Sequence, residues 1–148
     1  MKLVEINELE FVKSKDGFKV INEQPNYYYY KIVINEFEYF ISTGYKLDSF
    51  IQEKLSSDFL FCVDNYILIF SKEGTPLLVL RIFEPIYIHR VKGDNVFLFS
   101  ERLAYVFSLK TYCLNSVQWF SDILIDIEET NEGYRIKCFD ESIYQIGS

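Results

Sequence analysis

The sequence predicts an all-β fold of antiparallel hairpins: a meander forming a two-sheet sandwich or partly open barrel, with one short helix near residues 47–55. Three observations predict it. The chain holds 14 Phe, 12 Tyr and 1 Trp, 18% of its residues, and aromatic side chains pack well on a pleated, half-buried surface. Alanine, the best helix former, occurs once, at Ala104. Short apolar runs separated by turn residues recur along the whole chain.

The elements follow in order. Asp16-Gly17 is a hairpin turn signal between Glu10–Val12 and Phe18–Ile21. Tyr27–Ile34 and Phe37–Ile41 form a second hairpin across Asn35-Glu36. In the first of these runs Tyr28 and Tyr30 share a face with Ile32 and Ile34, and Tyr27 and Tyr29 share the other with Lys31 and Val33. One pair is expected in the core and the other at least partly exposed. Leu47, Phe50, Ile51 and Leu55 recur at helical spacing among polar residues, which predicts the helix. Strand runs follow at Phe59–Val63, Tyr66–Phe70, Leu77–Phe83, Ile86–Val91, Val96–Phe99, Leu103–Leu109, Ile123–Ile127, Tyr134–Phe139 and Ile143–Ile146. Asp64–Ser71 is faintly echoed by Asp94–Ser100, as two aromatic-rich hairpins would be.

A length of 148 residues, without a linker or a composition break, suits one domain, 1–148. Three widely spaced cysteines, Cys62, Cys113 and Cys138, make neither a disulfide framework nor a zinc motif. A reducing, cytoplasmic location is the expectation. Acids at Glu5, Glu8 and Glu10 argue against a secretory leader at the start. No apolar run reaches the roughly 18 residues of a membrane span.

Motifs for chemistry are missing. His89 is the sole histidine and has no triad signature around it. Phosphate-binding glycine loops are absent, and metal-ligand spacings with them. With 15 basic residues against 22 acidic ones, a net charge of -7, a nucleic-acid backbone is a poor partner. The expectation is therefore no enzyme, no cofactor, no metal, no nucleic acid and no membrane.

The charge is concentrated. Ser121–Ser148 holds seven acids (Asp122, Asp126, Glu128, Glu129, Glu132, Asp140, Glu141) against Arg135 and Lys137, a local charge of -5. The other 120 residues carry 15 acids and 13 bases. Alternation turns Ile123, Ile125 and Ile127 one way, and Asp122, Leu124, Asp126 and Glu128 the other. A row of carboxylates on an open strand face can steer a basic protein into encounter. Tyr134, Tyr144, Trp119 and the exposed half of Tyr27–Tyr30 are candidate anchors, because aromatic side chains dominate interface cores.

Small, acidic, aromatic-rich and cysteine-poor, the chain resembles the bacterial immunity proteins of toxin–immunity pairs, in overall character rather than by a motif. That resemblance implies tight binding to one basic toxin domain, such as a nuclease, and occlusion of its active site. The partner-binding residues would be Asp122, Asp126 and Glu128, with Glu129, Glu132, Tyr134, Asp140 and Glu141 around them. Two alternatives stand beside it: an adaptor or self-assembling β domain that pairs through strand edges, and a domain that stacks a carbohydrate or other small ligand on exposed Tyr.

Overall fold

The computed structural model describes residues 2–14, 19–20, 28–44, 51–54, 58–63 and 65–147. They form fifteen strands and one helix, in four sheets, with no closed barrel among them. The chain falls into two compact units, Met1–Ile82 and Phe83–Ser148.

In the first unit, β1 (Lys2–Ile6), β2 (Lys19–Val20), β3 (Tyr28–Ile34) and β4 (Phe37–Thr43) make a sheet of order β1-β3-β4-β2. Asn35 takes a φ of 53° in the two-residue turn of the β3–β4 hairpin, a conformation asparagine tolerates. Its side-chain amide donates to the Lys72 carbonyl at 2.9 Å. The second sheet is a meander of β5 (Ile51–Lys54), β6 (Asp58–Val63), β7 (Tyr66–Ser71) and β8 (Pro76–Arg81). Ile32, Ile34, Tyr39 and Ile41 of one sheet meet Phe61, Val63, Leu68 and Phe70 of the other. The Tyr39 and Phe70 ring centroids lie 4.5 Å apart. The buried Tyr39 hydroxyl donates to the Gly74 carbonyl at 2.5 Å, so its one polar atom is satisfied.

The helix lies elsewhere than the periodicity predicts. Ile51–Lys54 is strand β5, its register fixed against β6 by Ile51 opposite Cys62 and Lys54 opposite Phe59. The rest of the expected helix lies outside the described residues. A four-residue piece pairs with an available edge more easily than it nucleates a helix. The helix is α1 (Glu8–Ser14). Asn7 caps it, its Oδ1 accepting from the Glu10 amide at 2.9 Å. Glu10–Val12 is thus helical rather than the first strand of a hairpin, and β2 pairs in parallel with β4. The Asp16-Gly17 turn itself lies outside the described residues. Phe11 of α1 packs on Tyr29 and Phe40, with its ring 4.9 Å from that of Tyr29. Tyr29 and Tyr30 are therefore both buried and Tyr28 is half-buried, while Tyr27 falls outside the described residues.

In the second unit, β9 (Ile88–Lys92), β10 (Asn95–Phe99), β11 (Leu103–Ser108) and β12 (Cys113–Trp119) form a four-stranded meander. The strands β13 (Leu124–Thr130), β14 (Gly133–Cys138) and β15 (Ile143–Gly147) form a three-stranded one. Phe97, Phe99, Ala104 and Val106 pack against Tyr134, Ile136, Cys138 and Ile146, with Phe120 beside them. Burying one such Phe contributes about 1.5–3 kcal/mol. This core fixes the three-stranded sheet with one face inward and the other toward solvent.

None of the three cysteines is in a disulfide; Cys62 and Cys138 are buried and Cys113 is exposed. No described helix is long and apolar enough to cross a membrane.

Candidate partner-docking face

The acid-rich strand begins at a hydrogen-bonded corner. Ser121 Oγ donates to Asp140 Oδ2 at 2.6 Å. Ser142 donates to Asp140 Oδ1 through its amide at 3.0 Å and its hydroxyl at 2.5 Å. Hydrogen bonds to the charged form favour it. The Ser121 hydroxyl and then the Ser142 groups accordingly hold the Asp140 carboxyl below its ordinary range. The Ser121 amide also donates to the Tyr144 hydroxyl at 2.8 Å, and Ser121 holds that phenol below its usual value. Glu141, at a φ of 65°, turns the chain from β14 into β15.

A β-bulge then resets the faces. Leu124 pairs with Cys138, yet Asp126 pairs with Lys137, so Ile125 is the extra residue of β13. The simple alternation fails at this point. Leu124 and Ile127 pack toward the core, whereas Ile123 and Ile125 stand 42% and 52% exposed. The expectation that Ile123, Ile125 and Ile127 share the buried side is thereby corrected. Past the bulge, Asp126 and Glu128 face solvent as expected.

The carboxylates are not a bare row. Glu128 Oε2 lies 3.7 Å from Arg135 on β14, its cross-strand neighbour. Asp122 lies 3.7 Å from Arg102. Glu129 lies 3.3 Å from Lys92 Nζ, which also donates to the Thr130 carbonyl. Asp126 Oδ1 accepts from the Ile127 amide at 2.9 Å and stands across from Lys137. Asp126, Glu128, Arg135, Lys137 and Ile143 line one shallow depression of about 160 Å³.

The eight residues singled out by sequence do not form one cluster. Asp122, Asp140 and Glu141 gather at the Ser121 corner, at the end of β13 where the β14–β15 turn lies. Asp126 and Glu128 hold the middle of the outer face. Glu129 and Glu132 lie toward the β13–β14 turn, where Glu132 lines a second recess with Thr130, Asn131, Gln145, Ile146 and Gly147. Tyr134 is no surface anchor. It is 3% exposed, and its ring lies 4.8 Å from that of Phe97. Its position opposite Ile146 and beside Phe99 makes it part of the core. Tyr144 is half-buried against Phe120. Trp119 is 57% exposed and lies on β12.

The exposed apolar side chains beside the acids were not legible from aromatic content. They are Ile123 and Ile125, Phe139 at 75% exposure and Ile143 at 50%. Ile123 and Ile125 rim a groove of about 460 Å³ with Tyr87, Ile88, Phe99, Ser100, Glu101 and Leu124. Among the described residues no group of three or more His, Cys, Asp or Glu is placed to hold a metal ion. No protein-family model matches the chain, and no curated protein matches it in sequence.

Proposed function

We propose that the chain is a non-catalytic inhibitor of the immunity type, docking by the outer face of β13–β15 on a basic protein such as a toxin nuclease. One observation carries this reading: exposed carboxylates and exposed large apolar side chains occur together on the strands and adjoining turns of one three-stranded sheet. Apolar patches rimmed by charge mark interaction surfaces. Here Ile123, Ile125, Phe139 and Ile143 supply the apolar part, and Asp126, Glu128, Asp140 and Glu141 the charge.

Occlusion follows from that chemistry. The carboxylates stand in for substrate phosphates in the partner's basic cleft. Their present ion pairs do not prevent it, since an exposed pair is worth only about 0–1 kcal/mol. Arg135 presets the Glu128 carboxylate until a partner's arginine takes over. The setting is the cytoplasm of a bacterium, where three cysteines outside any disulfide stay reduced.

The test is capture by the tagged protein at low salt, elution with salt, and assay of the eluted protein's activity with and without the inhibitor. Wild type should retain one basic partner and suppress its activity. The double variant Asp126→Lys/Glu128→Lys should associate more slowly and bind more weakly. Equal capture and equal inhibition by that variant would overturn the assignment.

A further inference from the structure

The two sheets of the second unit are joined unevenly along the side where β9 and β13 are the outer strands. At one end of these strands Lys92 pairs with Glu129 at 3.3 Å and donates to the Thr130 carbonyl. At the other end Ile88 of β9 and Leu124 of β13 line the groove of about 460 Å³. That volume lies in the range of small-molecule sites, about 300–1,000 Å³. Two backbone hydrogen bonds shape the groove in advance. The Tyr87 amide donates to the Phe99 carbonyl at 2.9 Å, and the Leu124 amide to the Glu101 carbonyl at 2.9 Å. The bulge at Ile125 brings one more apolar side chain to the rim.

The polar groups of the groove select its occupant. Ser100 is 2% exposed, and its amide donates to the Leu103 carbonyl at 2.8 Å, yet its Oγ has no hydrogen-bond partner. A buried hydroxyl left unpaired costs free energy, and a ligand that pairs with it removes that cost. Serine turns about a single χ1 bond among three staggered positions, which brings the hydroxyl to a group seated beside it. Glu101 is the one charged residue of the lining, and among the described residues it has no ion pair. The depression beside Asp126 and Glu128 differs, because Arg135 and Lys137 already balance its acids.

We propose that this groove binds a small apolar amine. The carbon body lies between Ile88 and Ile125, and the ammonium donates to Ser100 Oγ and to the Glu101 carboxylate. An anionic ligand of the same shape would meet an unbalanced carboxylate. No protein partner is needed, so the site stands or falls independently of the inhibitor reading.

Tryptamine is the probe, followed through the backbone amide shifts of the purified protein by NMR. Its size predicts a dissociation constant of about 1 mM, so a titration to about 10 mM approaches saturation. Wild type should show saturable shifts centred on Ile88, Ser100, Leu124 and Ile125. Indolepropionate, which carries a carboxylate in place of the ammonium, should bind about tenfold more weakly. Glu101→Gln should weaken tryptamine about three- to fivefold. Ser100→Ala should weaken it too while leaving the urea midpoint level or higher, because it deletes an unpaired hydroxyl. Absence of saturable shifts at these residues, equal binding of the two indoles, or a Ser100→Ala protein that loses stability and keeps its affinity would overturn the proposal. So would tighter binding of Nα-acetyl-lysine methylamide than of tryptamine, which would give the groove to a side chain of a protein partner.

Discussion

Replacing Gly133 by alanine should be among the most damaging single-methyl changes in the protein. Gly133 opens β14 opposite Gly147 at a φ of +152°. A Cβ there would lie 1.9 Å from the Ile146 carbonyl oxygen and 2.9 Å from its carbon. Both atoms are backbone, so no rotamer change relieves the overlap. The backbone conformation alone costs an L residue about 1–3 kcal/mol. Moving β15 away sacrifices one or two ladder hydrogen bonds, about 1 kcal/mol each. The expected loss is roughly 3–5 kcal/mol, against a typical total stability of about 5–15 kcal/mol. Gly93→Ala is the matched control. Gly93 also has a positive φ, +59°, but a Cβ there meets nothing within 4 Å. Only the backbone term applies, about 1–2 kcal/mol. Urea unfolding followed by Trp119 fluorescence gives both values, because Trp119 is the chain's one tryptophan and lies in the same unit. Hydrogen exchange of the Ile143–Gly147 amides locates the damage. Equal losses for the two variants would refute the β14–β15 register from which the docking face is built.

Other perturbations separate core, surface and titration effects. Phe97→Ala empties a fully buried position between the two sheets of the second unit and should cost about 3–5 kcal/mol by denaturant unfolding. A double-mutant cycle on Glu128→Gln and Arg135→Gln should return a coupling of only about 0.2–1 kcal/mol, falling with added salt, because both groups are exposed. Asp140 has a folded pKa below its unfolded value of about 3.9, so its stabilisation is fully present above that value and is lost as the pH falls through the folded one. Asp140→Asn should therefore lower stability at neutral pH and flatten the acid limb of the stability–pH curve below about pH 4. NMR titration of the carboxyl carbon checks the direction independently.

Much of the strand pattern was legible because apolar runs and turn residues are local signals. The hairpin about Asn35-Glu36, the runs at Phe59–Val63 and Tyr66–Phe70, and those at Val96–Phe99 and Leu103–Leu109 match β3–β4, β6–β7 and β10–β11. Two strands escaped notice. β12 alternates polar and apolar residues only over Ser116–Trp119, past the bulge at Asn115, and its ladder to β11 is what holds it extended. β1 is likewise a short, mixed piece laid along β3. The α1 start was readable: Asn7 followed by Glu10 three residues later is a capping pattern. In sequence, Glu10–Val12 instead reads as a strand and Leu47–Leu55 as the helix, and of the latter Ile51–Lys54 pairs with β6 in the fold. At the acidic face the composition was legible, and the side-chain directions were not. One inserted residue, Ile125, reverses the alternation upstream of Asp126. Tyr134 shows the same limit. Its parity along β14 is the inward one shared by Ile136 and Cys138, which places a polar-tipped aromatic in the core.

The most direct test of the docking claim is hydrogen exchange of the captured complex against the free chain. Slowed exchange in Asp122–Ile146, centred on the β13–β14 and β14–β15 hairpins, is the result this account predicts. Protection confined to Met1–Ile82, with β13–β15 unchanged, would contradict it.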